Sequence, residues 1–157
     1  MITVDKKKIP AKRVGIVSLK LIKENSVLYE TRTIRSPYDA YKLIKNFLID
    51  SDREKFVVAC LDVKNQPVNI YVVSIGSVSS TIVHPREVFK VAMLSNASKI
   101  ICFHNHPSGN LKCSKEDENI TNRLKECGEI LGIELVDNII VGAVSYTHLT
   151  LPTNSRV

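Results

Sequence analysis

The 157-residue, 17.6 kDa chain is long enough for one domain with a real hydrophobic core and too short for two ordinary ones. Hydrophobic residues make up 44% and charged residues 24%, a balance that excludes a disordered or fibrous chain, and no run approaches the length of a membrane-spanning helix. The 22 basic and 16 acidic residues give a net charge of +6. That excess is compatible with polyanion contact without establishing it, because the chain has no Trp and its aromatic residues are not interleaved with the basic ones as base stacking requires.

In chain order, residues 1–13 read as a basic, flexible lead-in carrying Lys6, Lys7, Lys8, Lys12 and Arg13. Met1-Ile2-Thr3-Val4 runs straight into Asp5-Lys6-Lys7-Lys8 and so lacks the apolar core of a secretory signal. Val14 to Ile22 shows the alternation of a first strand. Ser36-Pro37 predicts a helix start, with Ala40, Leu43, Ile44, Phe47 and Leu48 as its apolar stripe. Strands are expected near 54–63 and 68–75, joined by the turn-like Lys64-Asn65-Gln66-Pro67 as an antiparallel hairpin. Pro85 begins a second helix through Val88, Phe89, Ala92 and Met93 to Asn96, and Ile100 to Phe103 reads as a buried strand. Ser114 caps a third helix that continues through Ile120, Leu124 and Ile130 to Gly132, and Ile133 to Val141 returns as a late strand. The four cysteines, Cys60, Cys102, Cys113 and Cys127, form no CxxC pair, so reduced thiols and a cytoplasmic location are the expectation.

The most informative segment is His104-Asn105-His106-Pro107-Ser108-Gly109, followed by Ser114 and Asp117. Histidines at i and i+2 at a strand end point to the same side, and a carboxylate farther along can fold back toward them. Two nitrogens and one oxygen make a half-open zinc site, because structural zinc usually takes four protein ligands, whereas three leave a position for a water that the metal acidifies. Each residue also has a plainer role, the histidines as exposed turn residues and Ser114-x-x-Asp117 as a helix cap. The conjunction at fixed spacing carries the weight. A closed Cys/His structural zinc using Cys102 or Cys113 is a rival, but no second pair of ligands has the usual spacing, and His148 has no metal-site spacing around it.

His104-x-His106, then seven residues, then Ser114-x-x-Asp117 resembles the JAMM motif of the JAB/MPN metalloprotease superfamily. Val83-His84-Pro85-Arg86-Glu87-Val88-Phe89, Ser95-Asn96-Ala97, the HNHPSG run and Gly132-Ile133-Glu134 resemble the RadC family of bacterial JAB-domain proteins over roughly residues 14–144. The resemblance implies a single α/β domain, a mixed β-sheet flanked by helices that is JAB/MPN-like (cytidine deaminase-like). It also implies one zinc per chain on His104, His106 and Asp117, with Ser114 assisting at the tetrahedral intermediate and Glu54 acting on the metal-bound water. The sequence departs from the family pattern at Asn138, where histidine is common, and at Cys113, where proline is expected. Residues 145–157 are read as an atypical tail outside the family pattern.

The expected function is zinc-dependent hydrolysis of an amide bond in a peptide or isopeptide, with no membrane partner. The alternative is a DNA-repair-associated accessory protein using the JAB domain as a nucleic-acid or protein binding module. A helix-hairpin-helix region of the kind longer RadC members carry is not read here, so DNA contact would be weak, non-specific and carried by the domain or the basic run. Base deamination and thermolysin-like proteolysis fit less well, because H-x-E with P-C-x-x-C and H-E-x-x-H are both absent.

Overall fold

In the computed structural model, residues 7–76, 83–142 and 145–149 are described. Among them the order of elements is α1 (Pro37–Leu48), β1 (Lys55–Leu61), β2 (Pro67–Ile75), α2 (Pro85–Leu94), β3 (Lys99–Asn105), α3 (Lys115–Leu131), β4 (Glu134–Val141) and β5 (Tyr146–His148). The strands form one mixed sheet ordered β2-β1-β3-β4-β5. β1 runs antiparallel to β2 and β3, β3 runs parallel to β4, and β4 runs antiparallel to β5. A parallel pair needs a crossover, and α3 supplies it.

Both faces of the sheet are covered, which is why β1 and β3 are buried along almost their whole length and carry continuous apolar runs, Phe56–Leu61 and Ile100–Phe103, rather than alternating. Val57, Ala59, Leu61, Ile101, Phe103 and Ile139 pack under α1 through Ala40, Tyr41, Leu43, Ile44 and Leu48. Phe56, Val58, Cys60, Ile100, Cys102 and Leu135 face the other way, against Val88, Phe89, Val91 and Ala92 of α2 and Leu124 of α3. Strand parity therefore assigns His104, two residues beyond Cys102, to the side on which α3 lies.

The helix ends are where the sequence places them. Ser36 caps α1 by accepting from the Asp39 N–H at 3.2 Å, with Pro37 in the first turn. Asn96, with φ 51°, ends the turn after α2 in the left-handed region. Gly132, with φ 70°, closes α3. Within α3, a Cβ on Gly128 would collide with the Ile133 carbonyl oxygen, so the helix approaches the start of β4 only because that position has no side chain.

Several expectations need correction. Val14–Ile22 forms no strand: the segment is exposed coil, since alternation makes a strand only where a neighbour accepts its backbone hydrogen bonds, and none does so among the described residues. Ile130 is 85% exposed, because six residues beyond Leu124 it has rotated off the buried stripe, and Phe47 and Met93 sit at the rims of their helices. Part of the segment read as an atypical tail, residues 145–149, takes a place in the sheet. Tyr146–His148 pairs with Ile139–Val141, and the Tyr146 ring stacks on Tyr41 at 4.9 Å. The alternation there is too short to read as a strand, and tertiary contacts with β4 and α1 supply what periodicity does not. Residues 1–6 of the lead-in and 150–157 of the tail lie outside the described residues, while 7–13 are exposed coil.

Candidate metal centre

β3 ends at Asn105 and delivers His104 from within the strand and His106 from one residue beyond it. Asp117 reaches them from the first turn of α3. One ligand atom from each of His104, His106 and Asp117 falls within a span of 4.8 Å, and among the described residues this is the group able to hold a metal ion. His104 Nε2 lies 3.1 Å from Asp117 Oδ1, and His106 Nε2 lies 3.6 Å from Asp117 Oδ2. Cys102 and Cys113, the thiols of the rival closed site, do not join the group.

The donor set fits a metal on a direct structural test. His104 is 1% exposed, yet neither ring nitrogen makes a directed hydrogen bond, even though Nε2 is close to the carboxylate. A buried imidazole whose nitrogens lack a well-directed hydrogen bond is costly, and a cation on Nε2, shared with the Asp117 carboxylate, would satisfy that nitrogen. Phe56 stacks on the His104 ring at 6.0 Å and 12°, holding its plane. His106 is oriented differently: its Nδ1 is 2.7 Å from the Asn110 carbonyl, an acceptor, so Nδ1 donates there and Nε2, which faces Asp117, is the ring nitrogen placed for a metal. Gly109, with φ 78°, makes that return possible, because its N–H bonds back to the His106 carbonyl at 2.9 Å.

Asp117 and Ser114 form a reciprocal cap. The Asp117 N–H donates to Ser114 Oγ at 3.1 Å, and the Ser114 N–H donates to Asp117 Oδ2 at 2.8 Å. Burial pushes the Asp117 carboxyl up, but the neighbouring His104 and the Ser114 backbone N–H outweigh it and hold the group well below the usual carboxylate range. Behind it, Thr121 Oγ1 donates to the Asp117 carbonyl at 2.7 Å and accepts from Asn138 Nδ2 at 2.8 Å. Asn138 thus helps tie the first turn of α3 to β4.

The register Phe56↔His104, continued two residues on to one position beyond each strand end, sets Glu54 opposite His106 on the same face of the sheet. Both line an open cleft of about 270 Å³ together with Ser108, Asn110, Lys112, Ser114, Glu116 and Asp117. The structure therefore brings every expected site residue except the buried His104 to this cleft, and His104 touches it through Asp117.

Asn105 and Asn110 carry site roles that the sequence reading does not assign. Asn105 is 5% exposed and points to the opposite side from the histidines. Its Oδ1 accepts from the Lys55 N–H at 2.7 Å and its Nδ2 donates to the Arg53 carbonyl at 2.9 Å, pinning the backbone on both sides of Glu54. A polar residue between two histidines of equal parity was the available signal. Asn110 acts through its backbone and leaves no signal in residue type.

A family model described as the RadC-like JAB domain matches residues 34–151. The chain is 45% identical over 118 residues to a UPF0758 protein of Methanosarcina barkeri, covering 75% of this chain and 52% of that protein. It is 50% identical over 109 residues to one of Clostridioides difficile, covering 69% and 46%, and 47% identical over 116 residues to one of a Geobacillus species, covering 74% and 51%. It spans about half the length of the curated relatives it matches. Among the described residues no helix is long and apolar enough to cross a membrane. With the His-His-Asp group, the mixed sheet and a match that begins at Ile34 and runs past β5, the chain belongs to the RadC-like JAB-domain family.

Proposed function

We propose that this chain is a zinc-dependent hydrolase of amide bonds, acting on a peptide or isopeptide. The observation that carries the reading is a buried His104 with unsatisfied ring nitrogens, meeting His106 and Asp117 beside an open cleft that also holds Glu54 and Ser114. His104, His106 and Asp117 would hold one zinc per chain, which supplies Lewis acidity, bringing the ionisation of water toward neutral pH and polarising a carbonyl.

The chain's own residues supply the rest. Glu54 accepts a proton from the attacking water and returns it to the departing amine, the work of a general base and then a general acid. Ser114 Oγ spends a lone pair on the helix cap, so its O–H is left to donate to the oxyanion that develops on the substrate carbonyl. Ser108, Asn110 and Lys112 offer hydrogen bonds along the open side of the cleft. Three ligands rather than four favour hydrolysis over a purely structural metal.

Elemental analysis combined with a peptidase and isopeptidase screen tests the proposal. The parent should carry one zinc per chain, and His104→Ala/His106→Ala should carry almost none. Glu54→Gln should keep its zinc while turnover falls about 10²–10⁴-fold, or roughly 3–5 kcal/mol of barrier. A zinc-loaded parent that cleaves no substrate, yet binds DNA or protein equally with or without Glu54→Gln, would shift the reading to a binding module.

A further inference from the structure

Residues 7–28 form an exposed arm, none of it in a helix or strand. The large aliphatic residues of its alternating stretch, Val14, Ile16, Val17, Leu19, Leu21 and Ile22, are all exposed, from 41% at Leu21 to 102% at Ile16. A monomer rarely leaves such a run in water. The alternation comes in two blocks, Val14 and Ile16 on one parity and Val17, Leu19 and Leu21 on the other, so as a strand the stretch would carry apolar residues on both faces. The arm is rooted firmly: Tyr29 Oη donates to the Asp39 carbonyl at 3.2 Å, and the Ile34 N–H donates to the Asn65 carbonyl at 2.9 Å. Asn65 lies in the turn leading into β2, so the arm leaves the domain beside the start of an edge strand.

That edge is open. Among the described residues β2 pairs with β1 alone, and its sequence, Pro-Val-Asn-Ile-Tyr-Val-Val-Ser-Ile, has no charged residue. Natural edge strands are usually blunted by charge, proline or bulges. Here proline stands at the first position, and irregular pairing skips Val68 and Val73, leaving Asn69–Val72 as a regular segment paired to Val57–Cys60. Val68, Tyr71 and Ile75 are exposed along the strand. An uncharged edge without a neighbour and an apolar arm without a neighbour are complementary in chemistry and in length.

We propose that two copies of this chain exchange arms, residues 14–22 of each adding as a sixth strand to β2 of the other and centring on Asn69–Val72. The occupant is a second copy because this chain's own arm stands away from its sheet, and because reciprocal addition is self-complementary and closes as a two-fold dimer. Main-chain hydrogen bonds would satisfy the β2 edge, and the arm's aliphatic residues would cover Val68 and Tyr71.

Sedimentation of the full chain at tens of micromolar tests this. The parent should run at twice 17.6 kDa, and Ile16→Asp/Leu19→Asp should run at 17.6 kDa. Tyr71→Lys, on the other side of the contact, should do the same. Because all three side chains are exposed, circular dichroism should show each variant folded. In a Cys113→Ser/Cys127→Ser background, mixing Leu19→Cys chains with Tyr71→Cys chains should give a disulfide between different molecules. A parent that stays at 17.6 kDa, a dimer that survives Ile16→Asp/Leu19→Asp, or a Leu19→Cys/Tyr71→Cys chain that closes only on itself would each overturn the exchange.

Discussion

Ser114 and Asp117 hold each other through two hydrogen bonds, 3.1 Å from the Asp117 N–H to Ser114 Oγ and 2.8 Å from the Ser114 N–H to Asp117 Oδ2. The cap that starts α3 therefore also fixes the carboxylate, committing Oδ2 to the backbone and leaving Oδ1 beside His104 Nε2. Helix initiation and ligand placement rest on one local structure.

Asp117→Asn separates the two roles. Asparagine can still accept from the Ser114 N–H, so the helix should start as before and circular dichroism should not change. Its neutral amide is a poor zinc ligand, and elemental analysis should show the metal lost. A zinc-loaded, folded Asp117→Asn protein would refute the ligand assignment.

Asn105→Ala should act on turnover without touching the metal. It removes the acceptor of the half-buried Lys55 N–H and the donor to the Arg53 carbonyl, with a stability cost of about 0.5–1.5 kcal/mol for each hydrogen bond lost, and frees the backbone around Glu54. At a temperature where the variant stays folded, zinc content should hold while kcat falls more than KM changes. Unchanged kcat would show that Glu54 needs no such anchoring, or that Glu54 is not the base.

Gly128→Ala tests the close approach of α3 to β4. The added methyl meets the Ile133 carbonyl oxygen, part of rigid backbone whose N–H is bonded to the Gly128 carbonyl at 2.9 Å. Overpacking of this kind costs about 1–3 kcal/mol, which should outweigh the better helix propensity of alanine and lower the urea midpoint.

Asp137 predicts a pH dependence. Burial raises its carboxyl to about 6 despite His148 at 3.3 Å and the Asn138 N–H, both of which lower it. A folded-state value above the unfolded one, near ~3.9, means that the contribution is fully present below about pH 4 and is lost as pH rises through about 6. The melting temperature should fall as pH rises from about 4 to about 6 and level off above that. Asp137→Asn should flatten that slope, and an unchanged slope would show that another group sets it.

Removing residues 145–157 should lower the melting temperature, because it deletes β5, the Tyr146 stack on Tyr41 and the hydrogen bond from the Leu149 N–H to the Asn138 carbonyl at 3.0 Å. Tyr146→Ala alone should cost at least the ~0.5–1.5 kcal/mol of an aromatic pair. No measurable change in either variant would show that β5 contributes nothing to the fold.

Local chemistry made much of this protein legible in its sequence. The Ser36-Pro37 and Ser114-x-x-Asp117 starts, the Gly132 stop, the apolar runs of β1 and β3 and the spacing of His104, His106 and Asp117 all express constraints acting over a few residues, and the structure follows them. Other features depend on what lies across the sheet. Glu54 joins the cleft through the antiparallel register that sets Phe56 opposite His104, and Asn105 matters because β1 lies beside it. Tyr146–His148 becomes a strand because β4 offers an edge, while Val14–Ile22, the better strand by pattern, stays coil because no edge among the described residues meets it. A helix satisfies its hydrogen bonds within itself and can be read from its own residues, whereas a strand borrows them from a partner that only the tertiary arrangement supplies.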